Sequence, residues 1–257
     1  MPAMSPAPIA VQLYSLRDAA AADFRGVLER LGRKGFCGVE LAGFHDLTPA
    51  DFLKISSDSG LEVASAHIDM GRTAELEATM DEHLSVGATT MVIPYMPPES
   101  FADLAAIDKT AGYLNKANAL AASRNVALGY HNHFWEFQKL IEGRNAMAHL
   151  FDRLDDTMFV ELDIYWAKVG GADPVDVITS FGNRVQLLHI KDGPADTFAG
   201  PMVAVGSGAI DVAAAIGAAP NARWHVVELD ECATDMFDAV EASYDYLVGT
   251  HLSKGRT

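Results

Sequence analysis

"VALGYHNHFWEF", residues 126–137, is the stretch on which the fold turns. Its opening residues, Val126 to Tyr130, read as a buried strand. His131, Asn132 and His133 follow where that strand runs out, with Trp135 and Glu136 just behind. One imidazole in such a place is usually a satisfied structural residue. Two, with a carboxylate close by, suggest a ligand set or an acid/base group. The fold depends on how often the chain repeats this pattern of an apolar run ending in polar side chains.

It repeats it eight times. The runs are "IAVQLYS" (9–15), "GVELA" (38–42), "EVASAHI" (62–68), "TTMVIPY" (89–95), "VALGYHN" (126–132), "MFVELDI" (158–164), "VQLLHIK" (185–191) and "WHVVELD" (224–230). They are largely continuous in apolar character, as expected of strands covered on both faces. Helical patterns lie between them, over 24–35, 48–60, 101–125, 173–182, 211–219 and 235–247. Gly35 suits a C-terminal cap, and Thr48 followed by Pro49 suits a helix start. Eight strands alternating with helices predict a single (β/α)₈ TIM barrel spanning residues 1–257. A doubly wound sheet is the alternative, but no G-x-G-x-x-G follows the first strand.

Composition agrees with one globular domain. The 257 residues are 49% hydrophobic and 21% charged, enough for a large core. With 19 Lys and Arg against 35 Asp and Glu, the net charge is −16. Such a surface repels phosphate backbones, so nucleic acid is not an expected partner. Cys37 and Cys232 are too few for a disulfide framework. No basic-then-apolar leader and no run of about 20 apolar residues is present, which predicts a soluble cytoplasmic protein without a membrane partner. Homo-oligomerisation is left open.

In a TIM barrel the active site lies at the C-terminal strand ends. The polar residues there are Gln12, Tyr14 and Ser15, Glu40, His67, His131 and His133, Glu161 and Asp163, His189 and Lys191, and Glu228 and Asp230. Any one of them is more often a satisfied hydrogen-bonding group than a ligand. As a set they differ, because ionisable groups on apolar strands are costly unless paired or metal-bound. Side chains alternate along a strand, so His131 and His133 share a face, as do Glu161 and Asp163, and His189 and Lys191. One inward group from each of strands five to eight gives His131, Asp163, His189 and Glu228, with His133 as the other choice on strand five. Two imidazoles and two carboxylates suit Mn²⁺, Zn²⁺, Co²⁺ or Fe²⁺.

The series "YHNHxxEF", "ELD", "LHIKDG" and "VELD" resembles the sugar phosphate isomerase/epimerase superfamily, the xylose isomerase-like TIM barrels. The resemblance runs from "VQLYSLRD" to the last helix and is most specific in "YHNH" and "LHIKDG". It implies a divalent metal, often Mn²⁺, binding a hydroxy-ketone or enediolate. Members of the superfamily include ketose 3-epimerases, hydroxypyruvate isomerases, inosose and dehydroshikimate dehydratases, and enzymes that cleave 3-keto-glycosides. The family's strand-six Asp matches Asp163, its strand-seven His matches His189, and its strand-eight Glu matches Glu228. Lys191 matches a substrate-facing position. Many epimerases carry Glu as the strand-five ligand; His131 stands there in this chain, as in an "HNH" subgroup. That departure puts the epimerases' two-base scheme in question.

These readings predict an isomerase or epimerase acting on a small carbohydrate by metal-assisted proton transfer, with Glu228, Lys191 and His133 as its acid/base groups. A metal-dependent lyase is the runner-up, and a non-catalytic sugar-binding barrel stands behind it. Gln12, Tyr14, Glu40, His67, Trp135, Glu136 and Trp166 are the expected substrate contacts. For Glu136 an exposed loop position is the equal alternative. A nucleic-acid repair enzyme of the same superfamily would need a basic groove, which the charge argues against. "VGSGAID" (205–211) offers backbone donors to an anion, but the nearest cation before it is Lys191, so an unphosphorylated substrate is expected.

Overall fold

In a computed structural model, residues 5–71 and 73–256 are described. Eight parallel strands close into a barrel: β1 (Ile9–Gln12), β2 (Gly38–Leu41), β3 (Glu62–His67), β4 (Thr90–Ile93), β5 (Ala127–His131), β6 (Phe159–Asp163), β7 (Val185–Ile190) and β8 (Trp224–Val227). Each pairs with its sequence neighbours, and β8 closes on β1 with Val227 beside Val11. The expected single TIM barrel is therefore the observed architecture. At their C-terminal ends the strands stop one to three residues short of the predicted runs, where the chain already turns into the loops of the barrel rim.

Helices α1 (Arg17–Lys34), α2 (Pro49–Asp58), α3 (Thr73–Leu84), α4 (Leu104–Ser123), α5 (Trp135–Gln138), α6 (Ala146–Phe151), α7 (Ile164–Val169), α8 (Pro174–Phe181), α9 (Val212–Ala218) and α10 (Met236–Gly249) fill the outer layer. Within α1, Asp23 leaves helical geometry and its carboxylate accepts the Gly26 N–H. The predicted helix over 24–35 is thus the part after this kink. Gly35 ends it at φ 108°, a left-handed cap that favours glycine. Thr48 caps α2 through the Asp51 N–H. Among the described residues, no helix is long and apolar enough to cross a membrane, and both cysteines are free.

Most of the core lies between strands and helices. Inside the barrel, Ala10, Ala64 and Val226 pack together, as do Val92, Phe159 and Leu187, and Trp224 packs against both groups. A Cβ on Gly129 would sit 2.3 Å from the Phe159 ring, so the glycine of "LGYH" makes room for that ring. Two residues further along the same strands the barrel interior turns polar, at Gln12, Glu161, His189 and Glu228. The ladder is irregular at two points, Val39/Glu40 and Val160/Glu161. Such irregularities re-aim side chains next to active sites, and here each brings an inward carboxylate.

Candidate metal centre and active site

Four side chains converge at the strand ends. The ligand atoms of His131, Asp163, His189 and Glu228 all lie within 4.8 Å of one another, and all four residues are buried. Local folding aims each of them. Asp163 closes β6 and caps α7, its Oδ1 accepting the Trp166 N–H at 2.8 Å. Its Oδ2 has no hydrogen-bond partner of good geometry and lies 4.0 Å from His131 Nε2. Asn132, pointing away from its two histidine neighbours, ties the end of β5 to β6: its amide accepts from the Asp163 N–H at 3.0 Å and donates to the Asp163 carbonyl.

His189 links two compartments. Its Nδ1 lies 2.7 Å from Glu228 Oε2, and its Nε2 lies 2.6 Å from Glu40 Oε1 and 3.2 Å from Glu161 Oε2. Below it, Glu40 is fully buried and also accepts from Gln12 Nε2 at 2.7 Å and from Ser65 Oγ. His67 Nε2 bridges Glu161 at 2.7 Å and Glu40 at 3.1 Å. His131 turns its Nδ1 to within 3.4 Å of Glu161 Oε2. His67, His131, Glu161 and His189 therefore form a second cluster just under the first.

Lys191 is 1% exposed and surrounded by carboxylates. Its Nζ lies 3.0 Å from Asp163 Oδ2, 2.7 Å from Glu228 Oε2 and 2.7 Å from Asp230 Oδ2, with the Trp166 ring 5.5 Å away.

The titrations follow from burial and charge. Burial opposes ionisation of Glu228, but Lys191 and His189 hold it well below the usual carboxylate range. Burial likewise opposes Glu40, and His67 and His189 overcome it. Asp163 is pushed up to about 6 by burial, with Lys191 pulling back. Against burial, Glu40 and Glu161 raise His67 to about 10. His131 is held well below the ordinary imidazole value by burial and by His189. His133 is lowered to about 3, by burial first and Lys191 second. An imidazole kept neutral in this way offers its lone pair to a metal, while its lowered proton affinity makes it a weak base.

The residues fit a divalent cation. Two imidazoles and two carboxylates are at hand, buried carboxylates call for positive charge, and Asp163 Oδ2 makes no hydrogen bond of good geometry, its one charged neighbour being Lys191 at 3.0 Å.

The cluster opens into a cavity of about 580 Å³ lined by Tyr14, His67, His131, His133, Glu228 and Asp230, with Ala42, Gly43, Ile68, Asp69, Thr79, His83, Pro94 and Tyr95 on its other walls. Of the expected substrate contacts, Tyr14 and His67 reach it. Gln12, Glu40 and Glu136 do not. Gln12 and Glu40 lie level in the ladder, one layer too deep, and bond to each other. Glu136 is neither a pocket wall nor an exposed loop residue. It is fully buried, accepting from the Tyr130 hydroxyl at 2.7 Å and the His133 N–H at 3.0 Å, and so holds the His133 backbone. Trp135 stacks on His133 at 4.3 Å, and Trp166 backs Lys191. Both support site residues from behind. Glu161, Asp69, Tyr95 and His83 carried no assigned role in the sequence. Inward alternation with Asp163 was the one signal for Glu161.

The "VGSGAID" loop is already filled. The Asp192 carboxylate accepts from the backbone N–H groups of Gly193, Gly206, Gly208 and Ile210, at 2.8–3.1 Å. A Cβ on Gly208 would lie 2.1 Å from Asp192 Oδ1, which explains the glycine.

The family model for xylose isomerase-like TIM barrels matches residues 6–231, and the chain belongs to that family. No curated protein sequence matches it. Among solved structures, it is similar to a sugar phosphate isomerase/epimerase from Parabacteroides distasonis, with 24% identity, TM-score 0.83, and 99% of this chain and 98% of that one covered. It is also similar to a probable 3-DHS dehydratase involved in petrobactin synthesis from Bacillus anthracis, at 16% identity and TM-score 0.72, covering 94% and 98%. A D-allulose 3-epimerase from Methylomonas sp. aligns at 14% identity and TM-score 0.69, covering 96% and 99%. At these identities the likeness is one of fold.

Proposed function

We propose that this xylose isomerase-like barrel is a metal-dependent isomerase or epimerase that moves a proton on a sugar, keto-sugar or polyol through an enediolate-type intermediate. The observation that carries the reading is the buried convergence of His131, Asp163, His189 and Glu228 beside one cavity, which His131 and Glu228 line. Mn²⁺ heads the ions that suit this set, followed by Zn²⁺, Co²⁺ and Fe²⁺. Such an ion supplies polarisation of a substrate carbonyl, which acidifies the adjacent C–H.

The chain's own groups do the rest. Glu40 accepts the His189 Nε2–H, which leaves Nδ1 aimed at Glu228. Glu228 takes the proton: Lys191 and His189 both engage its Oε2, and Oε1 is the oxygen left for the substrate. Lys191 holds a proton over the site and balances the buried carboxylates. His133, stacked on Trp135, lines the cavity as a second proton-handling group, although its value of about 3 makes it a weaker acceptor than an ordinary imidazole. The filled Asp192 loop supports an unphosphorylated substrate, because the donors a phosphate would use are taken.

A lyase reading is favoured by one feature, His131 where the epimerase pattern has Glu. With an imidazole there, removal by Glu228 followed by donation to a leaving oxygen needs no second carboxylate. The named neighbours span both chemistries, an epimerase and a dehydratase.

The test is solvent deuterium exchange. Metal-loaded protein is incubated in D₂O with a panel of keto-sugars and inososes. Deuterium should enter a substrate C–H, and Glu228→Gln should lower the rate by about 10²–10⁴-fold. Exchange at the wild-type rate in that variant leaves Glu228 as a ligand only. A silent, metal-loaded wild type over the whole panel leaves a sugar-binding barrel.

A further inference from the structure

His83 lies outside the metal cluster yet lines the same cavity. It is 5% exposed, its ring tilted against Phe44 at 5.0 Å. Its Nδ1 lies 2.8 Å from the Thr79 carbonyl one turn back. A carbonyl can only accept, so Nδ1 carries the hydrogen, and in the neutral ring Nε2 is a bare acceptor. That Nε2 is buried and has no hydrogen-bond partner. An acceptor fixed this way, without a donor, is a costly feature that an incoming donor would relieve.

The surroundings say what kind of donor. The cavity that His83 lines is also walled by Thr79, whose carbonyl His83 contacts, and by Ala42, Gly43 and Ile68, which follow β2 and β3. Tyr14 and Tyr95 flank the opening and are about half exposed, at 46% and 49%. Apolar and aromatic walls with a few placed polar groups are the usual composition of a small-molecule pocket, and a hydroxyl-rich ligand supplies the donors this one lacks. At about 580 Å³ the cavity exceeds what one pyranose ring fills. We infer that His83 Nε2 is the hydroxyl-accepting centre of a second subsite, which holds a part of a polyhydroxylated substrate that the metal-facing residues do not reach, such as the second ring of a disaccharide. This extends the proposed function and rests on reading the cavity as a carbohydrate site.

The test is ¹⁵N-histidine NMR on the full chain, titrated with glucose, maltose and cellobiose, with metal bound and after chelator treatment. A disaccharide should move the His83 Nε2 resonance upfield in both forms, as donation to a ring lone pair does. His83→Phe should weaken disaccharide binding about tenfold, the value of one hydrogen bond, at unchanged metal stoichiometry. His83→Gln, whose amide oxygen still accepts, should recover part of the loss. A panel in which no sugar moves the resonance, or equal disaccharide affinity in wild type and His83→Phe, overturns the inference. Metal stoichiometry is read separately. A chain that binds no metal yet shows the His83 shift refutes the metal-dependent chemistry and leaves the subsite standing.

Discussion

The Lys191 ammonium reaches Glu228 Oε2 at 2.7 Å, the same oxygen that His189 Nδ1 approaches at 2.7 Å. One carboxylate oxygen thus joins the ligand set to the buried lysine. The single Lys191 charge is shared among Asp163, Glu228 and Asp230.

Lys191→Met should therefore keep metal binding and lose turnover, by about 10²–10⁴-fold if Lys191 is a proton-handling group. Without metal the variant should be less stable by about 3–5 kcal/mol, because three carboxylates lose their buried partner. Elemental analysis, turnover and urea unfolding check the three parts. Loss of metal on this change alone would make Lys191 a structural support.

Glu40→Gln should weaken the metal by about 10–100-fold although Glu40 is outside the ligand set. The carboxylate accepts the His189 Nε2–H and is itself held by Gln12 and Ser65. An amide can turn a donor toward the ring and unsettle its tautomer. Competition with a chelator measures the change.

Asp192→Ala should cost about 3 kcal/mol, since four backbone N–H groups lose one acceptor. Inorganic phosphate should then raise the variant's melting temperature and leave the wild type unmoved. Equal phosphate stabilisation of both would mean that the loop binds anions with Asp192 in place.

His225 gives a pH signature away from the metal. Burial lowers it from 6.5 to about 4, and its Nδ1 lies 2.8 Å from Ser253 Oγ. Between those pH values the unfolded chain takes a proton that the folded chain refuses. Stability is therefore lost as pH falls from about 6.5 to about 4. From pH 7 to pH 5 this group removes about 2 kcal/mol. His225→Asn should flatten the acid slope by that amount in urea titrations at the two pH values.

The barrel was legible because its strands are buried on both faces and so read as continuous apolar runs. Their ends were overread, since Lys191 and Glu228 look like strand residues but stand one position beyond Ile190 and Val227. Helix α3 escaped notice because "TAELEATMDEHL" is acidic and offers little besides Leu76, Met80 and His83 to bury. Alternation told which side chains face inward and so brought His131, Asp163, His189 and Glu228 together. It carried no information on depth, which is why Gln12 and Glu40 were expected at the substrate and lie beneath it. Glu136 follows a strand rather than sitting in one, so no periodicity could place its carboxylate against Tyr130. His83 reaches the cavity only through the packing of α3 on Phe44, a tertiary relation with no local trace.

Metal content in wild type, Asp163→Ala and His189→Ala is the most direct test of the central claim. About one divalent transition ion per wild-type chain is expected after loading with Mn²⁺ or Zn²⁺ and gel filtration, and little or none in either variant. Equal metal in all three proteins, or none in the loaded wild type, would contradict it.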